Sequence, residues 1–495
     1  MISQEHKERL RFFCFITTVS LFIGVFFTAS DFITTPFVGL KDGFELFKQW
    51  FIIYLVLWLL VYLLSVNKYI FGILCLGIPI AAILAYFRYT MHATFTPMIL
   101  DAALDNDFRI TAELISFGLI AFVVFSLSVA VAFTVYRIKK IKVRHGFIHL
   151  IVSLSLLAVI LNVPRIGRPL SERIPFNMYY VTARYLSEKE EIKKERPSFP
   201  CNAVCHKKSD SLIVVFIIGE SLRSDHLGLN GYDRNTTPRL AKEDVISFPN
   251  IYSEYTHTNA SLPHILTRAD STFPERAYNE RSFVDLFKRC GFYTAWLANQ
   301  EPADSYVYFM HECDTLMHVN INKSSYVYDR WVDGDMLPLL DNCLEKNNPR
   351  KLILLHTIGS HWYYNAHYTD EFHLFDPICE SKIVSSCTRE AMINSYDNTV
   401  VYTDYFLCEV IERLRNRNAI VFYLSDHGES LGEEGIWLHA ADSPPLHNPA
   451  CFVWTSPAYK TAHAVQYQTA MENRHKRYRT DFLFHTITQA AGITG

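Results

Sequence analysis

The sequence has too little charge for an ordinary soluble protein, and it has no excess of basic residues. Only 20% of its 495 residues are charged, whereas 50% are hydrophobic. This balance indicates two different regions, one in a membrane and one in water. The formal net charge of -3 argues against a nucleic-acid partner, because proteins that bind nucleic acids usually have a basic face and a high isoelectric point. Internal repeats and low-complexity tracts are also absent from the sequence.

The sequence also lacks the paired Cys-x-x-Cys spacings that a structural zinc site would need. Nine of the 11 cysteines lie between Cys201 and Cys451, and this clustering favours an oxidising compartment. Two close pairs, Cys201 with Cys205 and Cys379 with Cys387, are candidates for small disulfide loops. The spacing of the other cysteines gives no pairing.

Five apolar stretches in the first 163 residues have about the length that crosses a bilayer, roughly 20 residues. They are residues 12–30, 50–66, 69–87, 114–136 and 147–163. Nine Lys and Arg residues fall on one side of these spans and four on the other. The positive-inside rule places the nine in the cytoplasm and everything after residue 163 outside it. The first span is expected to be an uncleaved anchor, since it lacks a clear cleavage site.

Two segments near the spans have mixed character. The outward loop at residues 88–111 contains a semi-apolar stretch with acids, residues 95–109, which is either interfacial or a plain connector. Residues 164–208 have an amphipathic start and a charged tail. They predict a linker that is either a helix along the outer membrane boundary or a solvated tether.

From residue 209 to residue 495, β-branched or aromatic runs alternate with stretches of helical period. The candidate strands are residues 212–218, 246–252, 293–298, 352–356, 420–424 and 451–454. This alternation predicts a mostly parallel sheet covered on both faces by helices. The length is ample for one α/β domain.

Two of these strands end in carboxylates. The run at residues 419–424 is followed by Asp426 and His427, and the run at residues 212–218 is followed by Glu220. The carboxyl ends of parallel strands meet at a crevice where ligands bind, so these side chains are expected to converge there. Thr258, between the two strands, is expected to lie at a helix N-terminus, where a phosphate is favoured. The plain alternative is a surface turn after each core strand.

Three motifs resemble the bacterial phosphoethanolamine transferases of the alkaline phosphatase and sulfatase superfamily. They are residues 219–226 (GESLRSDH), 230–238 (NGYDRNTTP) and 425–433 (SDHGESLGE). The resemblance covers nearly the whole chain. With the patterns above, it implies a five-helix transmembrane domain at residues 1–163, an interfacial linker at 164–208 and a periplasmic sulfatase-like catalytic domain at 209–495.

The resemblance also implies a site for Zn²⁺. Carboxylate, imidazole and hydroxyl groups suit tetrahedral zinc, and coordination would activate a threonine hydroxyl as nucleophile. The expected ligands are Glu220, Thr258, Asp426 and His427. Thr258 has the nucleophile's spacing in the family's Thr-x-x-Ser-x-Pro pattern, and Thr256 is the local competitor without that spacing.

Two histidines and one glutamate match further family positions. His361 and His439 are expected to contact the phosphoryl group, or a second zinc where one is present, and to assist proton transfer. Glu429 is expected to orient ligands rather than to bind the metal. The sequence departs from the family pattern where Trp362 follows His361 in place of Gly-Pro, and where Glu301 stands in place of a lysine. Cysteines that flank the nucleophile turn in several members are also absent.

The resemblance implies a multi-pass protein of the bacterial inner membrane. It would transfer phosphoethanolamine from phosphatidylethanolamine to an envelope acceptor, with lipid A first and a core sugar, a glucan or a protein as alternatives. Modified lipid A would bind cationic antimicrobial peptides such as polymyxin less well, because the added ammonium offsets negative charge. A phosphoglycerol transferase of the lipoteichoic acid synthase type and a catalytically inactive sensor are the competing functions. Sulfatase activity is not expected, because the Cys-x-Pro-x-Arg arrangement is missing.

Overall fold

The chain divides into two compact units. The computed structural model describes residues 4–105, 115–142, 147–161, 163, 167, 170–198, 204–205, 211–324, 328–439 and 441–494. The N-terminal unit is Met1–Leu186 with Asn322–Asp329, and the C-terminal unit is Ser187–Ile321 with Arg330–Gly495. The division after Leu186 falls inside the predicted linker.

The described part of the N-terminal unit is helical. Its helices are α1 (Gln4–Phe26), α2 (Gly39–Val66), α3 (Leu74–Met91), α4 (Pro97–Asp105), α5 (Phe117–Lys140), α6 (Phe147–Leu161) and α7 (Asn177–Ile192), the last continuing into the C-terminal unit. Four described segments are long and apolar enough to cross a membrane: His6–Phe32, Gly39–Val66, Ile70–Met91 and Phe117–Lys140. The fifth predicted span forms α6, which has 15 described residues.

Two predicted segments have more helix than the sequence patterns suggested. Helix α2 begins at Gly39 rather than near residue 50, because residues 39–49 contain no proline and repeat apolar side chains at helical spacing. The semi-apolar loop forms α4 as far as Asp105, and residues 106–109 of that prediction lie outside the described residues. The predicted linker helix is α7.

The C-terminal unit is built on a seven-stranded sheet. Its strands are β2 (Leu212–Gly219), β3 (Val245–Ser247), β5 (Tyr293–Ala298), β6 (Thr315–His318), β7 (Arg350–His356), β8 (Ala419–Ser425) and β11 (Cys451–Thr455), in the spatial order β3-β11-β8-β2-β7-β5-β6. Short pairs outside it are β1 (Val204–Cys205) with β13 (Ile493–Thr494), β4 (Ile251–Tyr252) with β12 (Tyr478–Arg479), and β9 (Ser430–Leu431) with β10 (Trp437–Leu438).

Nine helices of this unit are used below or cover the sheet. They are α8 (Thr258–Leu266), α9 (Arg276–Asn279), α10 (Phe283–Arg289), α11 (Val307–Glu312), α12 (Leu337–Glu345), α13 (Arg389–Leu414), α14 (Pro457–Ala462), α15 (Ala464–Asn473) and α16 (Leu483–Ala490). The central strand β2 is buried throughout, with Val215 facing one core and Phe216 facing the other. Burial on both faces explains why its sequence is continuously apolar rather than alternating.

The predicted sheet is confirmed as mostly parallel, with three differences. Strands β8, β2, β7, β5 and β6 pair in parallel, whereas β11 and β3 are antiparallel. The expected strand at residues 246–252 is two strands, β3 and β4, because Pro249 between them has no N–H to donate. Strand β6 was not predicted, since it is only four residues long and its side chains are only partly buried.

Candidate active site

The site lies at the carboxyl ends of the two central strands. Gly219 of β2 pairs in parallel with Ser425 of β8, so the residues that follow, Glu220 and Asp426, emerge side by side. The Asp426 amide donates to the Gly219 carbonyl oxygen at 3.0 Å. Glu220 is 1% exposed and Asp426 is fully buried. Two adjacent buried carboxylates are costly unless a cation or protons compensate their charge.

The Glu220 carboxylate is held by three donors. Its Oε1 accepts from the Ser221 hydroxyl at 2.8 Å, and its Oε2 accepts from the Thr258 hydroxyl at 3.1 Å and from Gln300 Nε2 at 2.9 Å. Burial alone would raise the pKa of Glu220, but the neighbouring histidines, His427 first, and the Gln300 hydrogen bond outweigh it and lower the pKa. Glu220 is therefore the carboxylate that stays ionised.

The side chains of Asp426 and His427 both direct lone pairs toward the space next to the Glu220 carboxylate. The His427 ring nitrogen Nδ1 lies 2.7 Å from the Gly428 carbonyl oxygen. Because a carbonyl oxygen only accepts, Nδ1 carries the proton and the neutral ring presents the Nε2 lone pair. That Nε2 lies 3.3 Å from Asp426 Oδ2 and 3.6 Å from Glu220 Oε1. Among the described residues, neither His427 Nε2 nor Asp426 Oδ2 has a hydrogen-bond partner.

This arrangement suits a bound cation. Burial and the charge of Glu220 raise the pKa of Asp426 well above its usual range, and a lone pair of His427 faces both carboxylates. A cation between Glu220, Asp426 and His427 would neutralise the repulsion between the two carboxylates and would accept the lone pair of His427. Candidate ligand atoms of Glu220, His427 and His439 lie within 4.8 Å of one another. Orientation of His427 Nδ1 by a backbone carbonyl is typical of metal-binding histidines.

Thr258 is the first residue of α8, after the N-cap residue His257. The expectation that Thr258 begins a helix agrees with this structure. Its side chain is half-buried, and its hydroxyl donates to Glu220 as described above. Backbone N–H groups at a helix N-terminus and the helix dipole favour an anion there. Thr256 lies before the helix begins and does not share this position.

The backbone next to the ligands is constrained. Ser221, directly after Glu220, has a positive φ of 56°, a conformation that costs a residue with a side chain roughly 1–3 kcal/mol. Its amide donates to Asp426 Oδ1 at 3.2 Å, which links the ends of the two strands. At Gly428 a Cβ atom would lie 2.0 Å from the Pro445 carbonyl oxygen, so only glycine fits beside His427. Such strain is typical of functional sites.

His361 and His439 also lie at this edge. The His439 ring centroid is 5.0 Å from that of His427 and 5.6 Å from that of His361. His439 Nδ1 lies 3.4 Å from Oε2 of the buried Glu429. Burial opposes protonation of His439, but Glu429 outweighs it and raises the pKa of His439 to about 9. Burial lowers the pKa of His361.

The structure therefore brings together seven of the residues that the sequence singled out: Glu220, Thr258, His361, Asp426, His427, Glu429 and His439. Of the two candidate disulfides, Cys379 and Cys387 are joined in the structure. The candidate pair of Cys201 with Cys205 lies outside the residues whose side chains are described.

Two residues that support the site were not predicted. Gln300 Nε2 donates both to Glu220 and to the Thr357 carbonyl oxygen, the latter at 2.7 Å. Asp333 is buried, and its carboxylate accepts from the Ile358 and Gly359 amides and from the Asn299 side chain. Burial raises the pKa of Asp333 to about 6. The position of Gln300, two residues after the end of β5, was a usable signal, whereas the irregular segment around Asp333 gave none.

Comparisons with known proteins show which sequences and structures this chain is similar to. The sequence matches the sulfatase family over residues 213–493. Phosphoethanolamine transferase EptA from Salmonella typhimurium is 33% identical over 301 residues, which cover 57% of this chain and 53% of EptA. Phosphatidylethanolamine transferase Mcr-1 from Escherichia coli is 29% identical over 415 residues, 76% of each chain. The chain spans about half the length of the first curated relatives that it matches.

One solved structure covers both units. The integral membrane protein lipooligosaccharide phosphoethanolamine transferase A from Neisseria meningitidis matches 97% of this chain and 96% of its own, with a TM-score of 0.56 and 25% identity. It supports an N-terminal helical unit followed by a sulfatase-like unit. Because the family match covers more than half of the residues, this chain belongs to the sulfatase family.

Proposed function

We propose that this protein transfers phosphoethanolamine from phosphatidylethanolamine to an acceptor of the bacterial envelope, with lipid A as the first acceptor. The observation that carries the proposal is the Thr258 hydroxyl, which lies at a helix N-terminus and 3.1 Å from the buried Glu220 carboxylate. The similarity to EptA and Mcr-1 supplies the reaction class. Spans of sufficient length and the distribution of basic residues support an inner-membrane protein with a periplasmic C-terminal unit.

The residues fit one zinc ion. Glu220, Thr258, Asp426 and His427 would hold it, since carboxylate, hydroxyl and imidazole groups are zinc ligands. Bound there, zinc supplies Lewis-acid chemistry that lowers the pKa of a coordinated hydroxyl and stabilises negative charge on a phosphoryl oxygen. His361 and His439 would contact the phosphoryl group, or a second zinc where one binds.

In the first half of the reaction, the Thr258 oxygen attacks the phosphorus of phosphatidylethanolamine. Glu220 accepts the hydrogen bond of the hydroxyl and so fixes its direction. The new bond joins Thr258 to phosphorus as the hydroxyl loses its proton, and the bond from phosphorus to the diacylglycerol oxygen breaks. That oxygen takes a proton from His439, which the proton lost from Thr258 replaces. The N-terminus of α8 stabilises the negative phosphoryl group while this happens. His361 and His439 donate hydrogen bonds to the phosphoryl and leaving oxygens.

In the second half, an acceptor oxygen attacks the same phosphorus and Thr258 leaves. The acceptor then carries the phosphoethanolamine, and the Thr258 oxygen takes a proton that restores its hydroxyl. Lipid A is a phosphate-bearing glycolipid of the compartment that a periplasmic site can reach. The added ammonium offsets part of its negative charge, which would weaken the attraction of cationic peptides to the surface, an attraction of roughly 1 kcal/mol per basic residue.

The test of the nucleophile is intact-mass analysis of the full-length protein after incubation with phosphatidylethanolamine. The wild type and Thr256→Ala are expected to gain the phosphoethanolamine mass, whereas Thr258→Ala is expected to gain none and to keep its melting temperature. An adduct that persists in Thr258→Ala and maps to Thr256 would overturn the assignment.

The test of the acceptor is mass spectrometry of lipid A from cells with and without the gene. The expected result is lipid A that carries the added phosphoethanolamine mass only when the gene is present. Unchanged lipid A, with the added mass on a core sugar, a glucan or a protein, would keep the enzyme class and exclude lipid A.

A further inference from the structure

An apolar cavity of about 600 Å³ lies on one face of the sheet in the C-terminal unit. Alternate residues of β11, Cys451 and Val453, form its floor together with Phe422 of β8, and Ala470 of α15 belongs to its roof. No residue of α15 is buried, so this helix covers the cavity without filling it. The volume falls within the range of ligand pockets, ~300–1,000 Å³, and such pockets are mostly apolar.

Basic side chains follow α15 directly. Residues 474–479 read RHKRYR. Arg479 pairs with Glu254 and with Asp481, each at 3.2 Å. No carboxylate of the described residues forms an ion pair with Arg477, whose guanidinium carbon lies 5.0 Å from the Tyr252 ring centroid. This basic run therefore presents positive charge beside an apolar space.

Two further hollows lie along the basic run. A hollow of about 520 Å³ shares Tyr478 and Arg479 with the cavity. A third hollow, of about 540 Å³, shares Tyr252 and Arg477 with the second. Arg477 and Tyr252 therefore line both of these hollows, and Tyr478 and Arg479 connect the basic run to the cavity.

Residues beside the third hollow are hydrogen-bonded to the backbone of the site described above. Ser253 follows Tyr252, and its hydroxyl oxygen lies 3.3 Å from the backbone oxygen of Asp426. The ring of His447, which lines the third hollow, bonds the Ser253 carbonyl oxygen through Nδ1 at 2.7 Å. A molecule with one end in the apolar cavity would have the basic run beside its other end.

The occupant must match both parts of this surface. A purely apolar molecule would make no use of the basic run, and a nucleic acid would make no use of the apolar cavity. An acyl chain fits the cavity because it is unbranched and apolar, and a phosphate fits the guanidinium of Arg477, which can bind two of its oxygens. We propose that the cavity and the basic run hold an acyl chain and a phosphate of a phosphorylated lipid, which is the acceptor of the transfer. The acceptor role rests on the proposed function, and the binding does not.

The binding is tested by photolabelling of the full-length protein in phosphatidylcholine vesicles that contain a diazirine-bearing acyl chain on phosphatidic acid. After illumination, adducts are expected in the peptides of β11 and α15. Unlabelled phosphatidic acid should suppress them, and unlabelled diacylglycerol should not. Thr258→Ala should label like the wild type, because the cavity lies apart from the nucleophile.

Two variants and two controls locate the binding. Ala470→Trp should fill the cavity from α15, and Arg477→Glu should repel the phosphate, each with an at least fivefold loss of labelling. Ala462→Trp and Lys242→Glu, on exposed positions outside the cavity, should label like the wild type. Arg477→Glu changes an exposed side chain, so it keeps the test valid if Ala470→Trp does not fold. Adducts elsewhere, or labelling that neither variant lowers, would overturn the binding.

The acceptor role is tested by kinetics with a phosphorylated, acylated glycolipid as acceptor. Arg477→Glu should raise the KM for this acceptor at least fivefold and leave kcat within twofold. Labelling in the cavity with an unchanged KM would overturn the acceptor role and keep the site. Labelling with no transfer by the wild type to any lipid would instead refute the proposed function.

Discussion

Replacement of Gln300 by leucine removes two hydrogen bonds that one side-chain nitrogen makes. Gln300 Nε2 donates to Glu220 Oε2 at 2.9 Å and to the Thr357 carbonyl oxygen at 2.7 Å. Leucine has a similar size but no donor, so the buried Glu220 carboxylate would lose one of its three donors. A hydrogen bond to a charged group contributes about 1.5–3 kcal/mol. That range corresponds to roughly 10- to 150-fold in an equilibrium constant.

The equilibrium that should change is zinc binding. Residues that orient a metal ligand typically alter metal affinity by about 10- to 100-fold when they are replaced, which agrees with the range from the hydrogen bond. The assay is a titration of zinc-free, full-length protein with zinc in competition with a fluorescent chelator. The zinc Kd of Gln300→Leu is expected to rise by about 10- to 100-fold. Gln468→Leu, on the exposed face of α15, is the matched control and should bind zinc like the wild type.

The outcome separates two roles for Gln300. A zinc Kd within twofold of the wild type would show that Glu220 keeps its position without this donor, and the reasoning would be refuted. If transfer activity were lost while zinc affinity stayed the same, Gln300 would act on the substrate rather than on Glu220.

Three further changes have expected outcomes. Asp333→Asn places an amide N–H donor opposite backbone N–H donors, so it should lower the free energy of unfolding by about 2 kcal/mol. Urea unfolding should show this loss, and Asp335→Asn, at an exposed position, should leave the free energy of unfolding unchanged. Burial raises the pKa of Glu312 to about 7, so its contribution to stability is full below pH 4.5 and is lost as pH rises through 7. Glu312→Gln should therefore match the wild type in melting temperature at pH 4 and exceed it at pH 8; equal melting temperatures at both would refute this. Cys387→Ser opens the disulfide to Cys379, which should cost about 2.5 kcal/mol and make stability insensitive to reductant.

The central part of the site could be predicted because local sequence determined it. Apolar runs that end on Glu220 and on Asp426 with His427 indicate buried strands that carry polar groups at one end. In a parallel sheet those ends lie at the same edge, and here Gly219 pairs with Ser425. The helix start at Thr258 could also be predicted from local sequence, since polar and hydroxyl-bearing residues precede an apolar helical stretch.

The supporting residues could not be predicted in the same way, because their roles depend on contacts between distant segments. Gln300 reaches Glu220 only because β5 lies next to β7, and β7 next to β2. Asp333 lies between β6 and α12 in a segment with no repeating pattern, and its partners are backbone amides after β7. Hydrogen bonds to backbone amides cannot be recognised from the sequence, since nearly every residue type has a backbone N–H.

The order of the strands explains why the pattern of carboxylates was nevertheless informative. The site draws on the ends of four neighbouring strands, β8, β2, β7 and β5. Strand β8 must lie beside β2 for Asp426 to meet Glu220. A buried carboxylate at the end of a central strand is unfavourable by itself, because burial penalises its charge. Two such strand ends are compatible with a folded protein when they share one compensating cation and its hydrogen-bonded surroundings. The physical cost of isolating either acid therefore argues that β2 and β8 are neighbours, and the same cost makes the proposed metal site and the strand order depend on each other.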